Sequence, residues 1–271
     1  MSARASIASL ALLLVALVVL WISYSMRAGR RGPHDDAYER GRASSAVLKR
    51  SVRQFAAWCV QPLVRGLVRA GFTANAVTWW SLGFAVAAAM AIILESALLA
   101  GWLYLVSGFL DGLDGSVARA RGESTARGAV LDAVVDRYGE GLMLGALIWA
   151  APERWILAAG VAALIGGFTV PYVRARAEAA GLVDGSRGAL QRGERVLVVG
   201  FALVLSPLGH GIRVAGVVTN GFTWIGIALV ALAFLSNATA AYRLARVLSE
   251  DNEPGRTQPA LESRCRRGRS E

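Results

Sequence analysis

The stretch Asp111-Gly112-Leu113-Asp114-Gly115-Ser116-Val117-Ala118-Arg119 is followed, after eight residues, by Gly128-Ala129-Val130-Leu131-Asp132-Ala133-Val134-Val135-Asp136. Four of the chain's eight aspartates thus fall inside segments that are otherwise apolar. An aspartate at the centre of a membrane span opposes insertion by about 2.5–3.5 kcal/mol, so four without partners would oppose it by on the order of 10 kcal/mol. Something must compensate. Asp111 and Asp114 are i,i+3, with Gly115 and Ala118 following on the same helical face, while Asp132 and Asp136 are i,i+4 on the next helix. Two antiparallel helices can aim these carboxylates at one point. An oxygen-rich cluster suits hard divalent cations, Mg2+ or Mn2+, and two such ions share bridging carboxylates at about 3.5–4 Å.

Outward from this window, the chain of 271 residues is 55% hydrophobic and carries far more apolar surface than one soluble core needs. The apolar residues come in runs of about twenty, the length that crosses roughly 30 Å of hydrocarbon. Seven candidate spans are expected: 5–25, 76–96, 98–121, 126–150, 154–178, 190–207 and 220–245. The expected division is an N-terminal anchor over 1–26, a basic linker and surface helix over 27–75, a six-span catalytic bundle over 76–248, and a disordered tail over 249–271. The first span is read as an uncleaved anchor, because its positive cluster, Arg27, Arg30 and Arg31, follows the apolar run.

Charge sets the expected orientation. Segment 26–75 holds ten Arg or Lys, Arg187 lies between two spans, and the end of the chain carries Arg246, Arg256, Arg264, Arg266, Arg267 and Arg269. The positive-inside rule makes these segments cytoplasmic, leaving Arg4, Arg154 and Arg213 outside, in a multi-pass protein of the cell membrane. Residues 44–70 read as an amphipathic helix with Val52, Phe55, Cys59, Leu63 and Leu67 on one face and basic residues on the other, where Pro62 would kink or divide it; a solvated linker helix is the alternative. The net charge of +10 follows the span ends rather than an exposed aromatic-basic face, so anionic membrane lipids and not nucleic acid are the expected partners. Cys59 and Cys265 show neither disulfide nor zinc-ligand spacing.

The pattern D-x2-D-G-x2-A-R-x8-G-x3-D-x3-D, matched here at every fixed position, resembles the CDP-alcohol phosphatidyltransferase family over about 44–248. The resemblance implies an all-α membrane fold, a six-helix bundle preceded by a surface helix, to which this chain adds its first span. It also implies a CDP-diacylglycerol or similar CDP-lipid donor, metal ligation by Asp111, Asp114, Asp132 and Asp136, and Asp136 as proton acceptor. Gly115, Arg119 and Thr125 match positions that hold the CDP moiety, and small residues at Gly115, Ala118 and Gly128 would admit a diphosphate close to the backbone. Thr73-Ala74-Asn75-Ala76-Val77-Thr78 is similar to the family's nucleotide-side entry segment, although Ala74 stands where proline is usual; Asn75 as a helix N-cap is the competing reading. A homodimer is expected.

A second group of charges bears on the acceptor. Arg174, Arg192, Arg195 and Arg243 lie near the cytoplasmic ends of three successive spans, and Arg192 and Arg195 are i,i+3 at a helix start, where the dipole disfavours cations. This looks like the inositol-phosphate-using branch of the family, with an acceptor phosphate gripped by these four arginines. Glycerol phosphate or another alcohol is the alternative acceptor, and a cation transporter or scaffold is the alternative without catalysis. Arg137 and Glu140 are expected to neutralise one another, and Gly141-x3-Gly145 to serve helix packing.

Overall fold

A computed structural model describes residues 3–31, 50–182, 192–211, 213–214 and 217–250, and these form a helical bundle. In chain order the helices are α1 (Ala3–Arg31), α2 (Arg50–Arg69), α3 (Ala74–Ile93), α4 (Ala97–Arg121), α5 (Ala126–Trp149), α6 (Arg154–Ala179), α7 (Arg192–Leu205) and α8 (Gly221–Glu250). Between α7 and α8, a 3-10 turn at Ser206–Gly209 leads into a small antiparallel hairpin of β1 (Arg213–Val214) and β2 (Val217–Val218). Residues 1–2, 32–49, 183–191 with Arg187, 212, 215–216 and 251–271 lie outside the described residues.

Five helices, α1, α3, α4, α6 and α8, are long and apolar enough to cross a membrane, and the protein is a multi-pass integral membrane protein. The other two expected spans differ for visible reasons. Helix α5 has the length, but Arg127, Asp132, Asp136, Arg137 and Glu140 interrupt its apolar run; α7 has 14 described residues. Large apolar side chains such as Trp149, Phe234 and Leu12 point outward, as expected where lipid and not water is the solvent.

Helix α3 runs along α4 and α6 along α8, while α5 packs on α3 and α6, and α7 on α4 and α8. Their shared core contains Ile92, Tyr104, Met143, Leu147, Ile156, Leu203 and Leu229. Small residues set the spacing, because lipid gives helices no hydrophobic reason to associate and close backbone approach must do so. At the α4–α7 crossing a Cβ on Gly101 would stand 2.8 Å from the Gly200 carbonyl oxygen. Between α6 and α8, Asn237 Nδ2 donates to the carbonyl of Ala162 at 2.9 Å.

The surface helix departs from its expected form in two ways. Pro62 sits inside α2 without dividing it. The face that packs is Val60, Val64, Leu67 and Val68, set against Val77, Leu110, Leu113 and Val117, whereas Leu63 is half exposed. Phe55 and Trp58 point instead to α1, where Trp21 meets Phe55 edge-on at 4.9 Å and Tyr24 lies 5.8 Å from Trp58. Helix α1 is tied at its other end by Trp102 of α4, whose indole donates to the Ser9 hydroxyl at 3.2 Å. Its first-span sequence is therefore docked at both ends, while residues 14–23 are exposed on every side.

Candidate active site

The aspartate window is a helical hairpin. Gly122 ends α4 in the left-handed region (φ 67°), which favours a residue without a Cβ, and Thr125 starts α5 by accepting the Gly128 amide at 3.0 Å. The eight residues between Arg119 and Gly128 are thus the last turn of α4, a short reversal and the first turn of α5. Arg121 pairs with Glu123 across the reversal at 2.9 Å and holds that carboxyl below its usual range. The hairpin sets the two aspartate pairs facing each other.

Asp111, Asp114 and Asp132 offer carboxylate oxygens that all lie within 4.8 Å of one another. Three negative charges at that separation repel by roughly 3 kcal/mol or more per pair at an effective dielectric constant of about 20. Such a cluster is stable only beside positive charge. Asp132 Oδ1 is shut off from solvent and, among the described residues, accepts no hydrogen bond. An oxygen-only set with an orphaned buried acceptor fits a hard divalent cation. Asp136 joins the group through Arg192, whose Nη1 contacts both Asp111 Oδ1 and Asp136 Oδ1.

Thr78 lies against the carboxylate cluster. Its hydroxyl is buried and lies 2.7 Å from Asp114 Oδ2, with the Ala74 carbonyl on its other side at 3.1 Å. It therefore orients a carboxylate of the cluster. Asn75 is exposed and is not the cap of α3, since Thr73 accepts the Ala76 amide at 3.2 Å. The Asn75 side chain instead faces Gly128: a Cβ added there would lie 3.6 Å from Asn75 Oδ1. The starts of α3 and α5 thus come together at one end of the bundle, with Arg119 folded over Gly115 and reaching Ser116 Oγ at 3.4 Å. Two helix N-termini and an arginine form a surface suited to phosphate oxygens. Ala118 is half-buried on the same helix.

The four arginines do not converge as one group. Arg192 touches the carboxylates directly, Arg174 pairs with Glu178 at 2.8 Å, and Arg243 Nη1 donates to the Val170 carbonyl at 3.4 Å. Arg195 is turned into the bundle, where Nε and Nη2 donate to the two oxygens of Glu140 at 2.6 and 2.9 Å. The expected Arg137–Glu140 contact is present at 3.2 Å but is shared with Arg195, and Arg137 also lies 3.8 Å from Asp136. Sequence reasoning missed the Glu140–Arg195 and Thr78–Asp114 pairs. The available signal was an acidic residue one turn beyond Asp136 in an apolar helix, which demands a partner.

An apolar cavity of about 610 Å3, bordered by Val86, Met90, Leu142, Gly145, Trp149 and Phe168, opens on the far side of Arg137. A Cβ on Gly141 would meet Phe168 there at 3.2 Å, while among the described residues nothing lies within 4 Å of one on Gly145, so this glycine pair does not close a helix contact along its whole length. None of the four aspartates lines the cavity.

Residues 72–234 match the family model for CDP-alcohol phosphatidyltransferase. The chain is 37% identical over 170 residues to a phosphatidylinositol phosphate synthase of Mycobacteroides abscessus, covering 59% of this chain and 74% of that protein. It is 32% identical over 162 residues to an archaetidylinositol phosphate synthase of Pyrococcus horikoshii, covering 59% and 85%. Crystal structures of the Mycobacterium tuberculosis phosphatidylinositol phosphate synthase superpose on it. The complex with manganese and citrate has a TM-score of 0.62 at 29% identity, covering 73% of this chain and 92% of that one. The form with CDP-DAG bound has a TM-score of 0.62 at 30% identity, covering 74% and 98%.

Proposed function

Because the chain belongs to the CDP-alcohol phosphatidyltransferase family, we propose that it transfers a phosphatidyl group from CDP-diacylglycerol to inositol phosphate, releasing CMP. The observation that carries the reading is the carboxylate cluster of α4 and α5 with an arginine of α7 against it. Held by Asp111, Asp114, Asp132 and Asp136, two divalent ions, Mg2+ or Mn2+, would supply positive charge to the phosphoryl oxygens and the leaving group. The M. tuberculosis relative, solved with manganese in one structure and CDP-DAG in another, supports both ligands.

The residues divide the work. Gly115, Ala118, Arg119, Thr125, Gly128 and Asn75 receive the CDP moiety at the joined starts of α3 and α5, and Thr78 holds Asp114 in place. The acceptor hydroxyl gives its proton to Asp136 and attacks the β-phosphorus. A new oxygen–phosphorus bond forms as the bond to CMP breaks, so CMP carries away the bridging oxygen. Positioning of the two substrates supplies most of the acceleration. Arg192, with Arg174 and Arg243 nearer the rim, takes the acceptor phosphate; a dianion is matched by charge-assisted hydrogen bonds that a neutral polyol would not require. Arg195 is engaged with Glu140. The site faces the cytoplasm in this proposal, in keeping with the basic segments at that end, and the protein is a homodimer.

The test is CMP release from CDP-diacylglycerol by the purified protein in nanodiscs, with Mg2+ or Mn2+ and a panel of inositol phosphate, glycerol phosphate and free inositol. Inositol phosphate should be used fastest, and a chelator should abolish release. Preference for free inositol would remove the phosphate grip, and preference for glycerol phosphate would change the acceptor.

A further inference from the structure

We propose that Glu140 is a positioning residue: from α5 it locks Arg195 of α7 and Arg137 of its own helix, and so fixes where Arg192 and Arg137 stand against the reacting carboxylates. The proposal rests on the reading that Arg192 serves the acceptor.

The geometry is that of a fork. Glu140 is 3% exposed and Arg195 6%. Two parallel hydrogen bonds, Arg195 Nε to Oε1 at 2.6 Å and Nη2 to Oε2 at 2.9 Å, set both the distance and the rotation of α7 relative to α5. Arg192 lies three residues before Arg195 on the same face, where it contacts Asp111 and Asp136. A slip of α7 by one residue would turn it by about 100° and shift it by about 1.5 Å, which removes Arg192 from both carboxylates.

The second arm of the fork runs along α5. Arg137 Nη1 is shared between Glu140 Oε2 at 3.2 Å and the Gly167 carbonyl of α6 at 3.3 Å, leaving Nη2 3.8 Å from Asp136 Oδ2. Gly167 makes room for the arrangement, since a Cβ there would stand 2.8 Å from Glu140 Oε1. Three helices are joined one turn deeper than Asp136.

Stability alone does not account for the pair. A buried ion pair replaced by well-packed apolar residues is often neutral or stabilising, and the neighbouring core of Met143, Leu144, Val196 and Val199 is already apolar. What apolar residues would not supply is a fixed register between the helix carrying Asp136 and the helix carrying Arg192. Glu140, an anion behind the cluster, has no direct use for a phosphate.

The experiment is a double-mutant cycle on Glu140→Gln and Arg195→Gln, with Glu140→Asp and Arg192→Ala beside it, in nanodiscs. KM is measured for CDP-diacylglycerol and for whichever acceptor the wild type turns over fastest. Glu140→Asp keeps the charge and retracts the fork by one methylene. It should raise acceptor KM about ten- to a hundredfold, as a misplacement of about 1 Å does, with CDP-lipid KM within about twofold. The Glu140→Gln/Arg195→Gln double variant, which leaves no unpaired charge between the two, should be no worse than Glu140→Gln alone, which already loses both arms of the fork. Acceptor KM unchanged in Glu140→Asp, whatever happens to thermal stability, would overturn the proposal; so would single effects that multiply in the double variant. If Glu140→Gln does not fold, the aspartate variant decides. Unchanged acceptor KM in Arg192→Ala would instead refute the reading of Arg192, leaving the two failures distinct.

Discussion

Thr78→Val removes one hydroxyl and keeps the shape of the side chain, so it tests the hydrogen bond to Asp114. That bond is 2.7 Å long, between two buried side chains, and its acceptor belongs to the carboxylate cluster. A hydrogen bond to a charged group contributes about 1.5–3 kcal/mol, which at 1.4 kcal/mol per factor of ten is roughly ten- to a hundredfold. The same range is found when the outer partner of a metal ligand is lost. We therefore expect Thr78→Val to weaken Mn2+ binding by about that factor, with CDP-diacylglycerol KM at saturating metal changed by less than about threefold. Mn2+ affinity is read from the electron paramagnetic resonance signal of free Mn2+, titrated into protein without substrates, and KM from CMP release. The resemblance implies that Thr78 serves the CDP-lipid, and the structure sets its hydroxyl against Asp114. Unchanged Mn2+ affinity together with a raised CDP-lipid KM would refute the structural placement.

Asp136→Asn is expected to stop CMP release while CDP-lipid binding, measured by displacement of a labelled nucleotide, stays near wild type; substantial release would remove Asp136 as the proton acceptor. Gly101→Ala places a Cβ 2.8 Å from the Gly200 carbonyl and should lower stability by about 1–3 kcal/mol, seen as a lower unfolding temperature in detergent. Gly83→Ala, where among the described residues nothing lies within 4 Å of the added Cβ, is the control and should be neutral or slightly stabilising; equal losses would contradict the packing account. Trp21→Ala opens the aromatic contact between α1 and Phe55 of α2, so amide exchange in α2 should quicken. Unchanged protection there would mean that α1 does not brace the surface helix. A cysteine replacing Glu123 should react with impermeant reagents only from the cytoplasmic side, and labelling from outside intact cells would reverse the orientation.

The sequence by itself determined the bundle and the kind of chemistry. Runs of about twenty apolar residues admit little but helices in lipid, because every backbone polar group must be satisfied within its own segment. Four aspartates at helical spacing inside such runs demand a cation, and Gly122 and Thr125 mark the turn that brings them face to face. Pairings between helices distant in sequence were another matter. Helical spacing gives the direction of a side chain around its own axis but not the rotation of a second helix against it. The face of α2 that packs, with Leu63 left exposed, was decided by contact with α4. Thr78 reaches Asp114 across 36 residues and Arg195 reaches Glu140 across 55. Arg192 and Arg195 look equivalent as neighbours at one helix start, yet one faces the carboxylates and the other is buried against Glu140. That division depends on the position of α7 between α4 and α8, which the small residues Gly101 and Gly200 allow and which the folded bundle alone specifies.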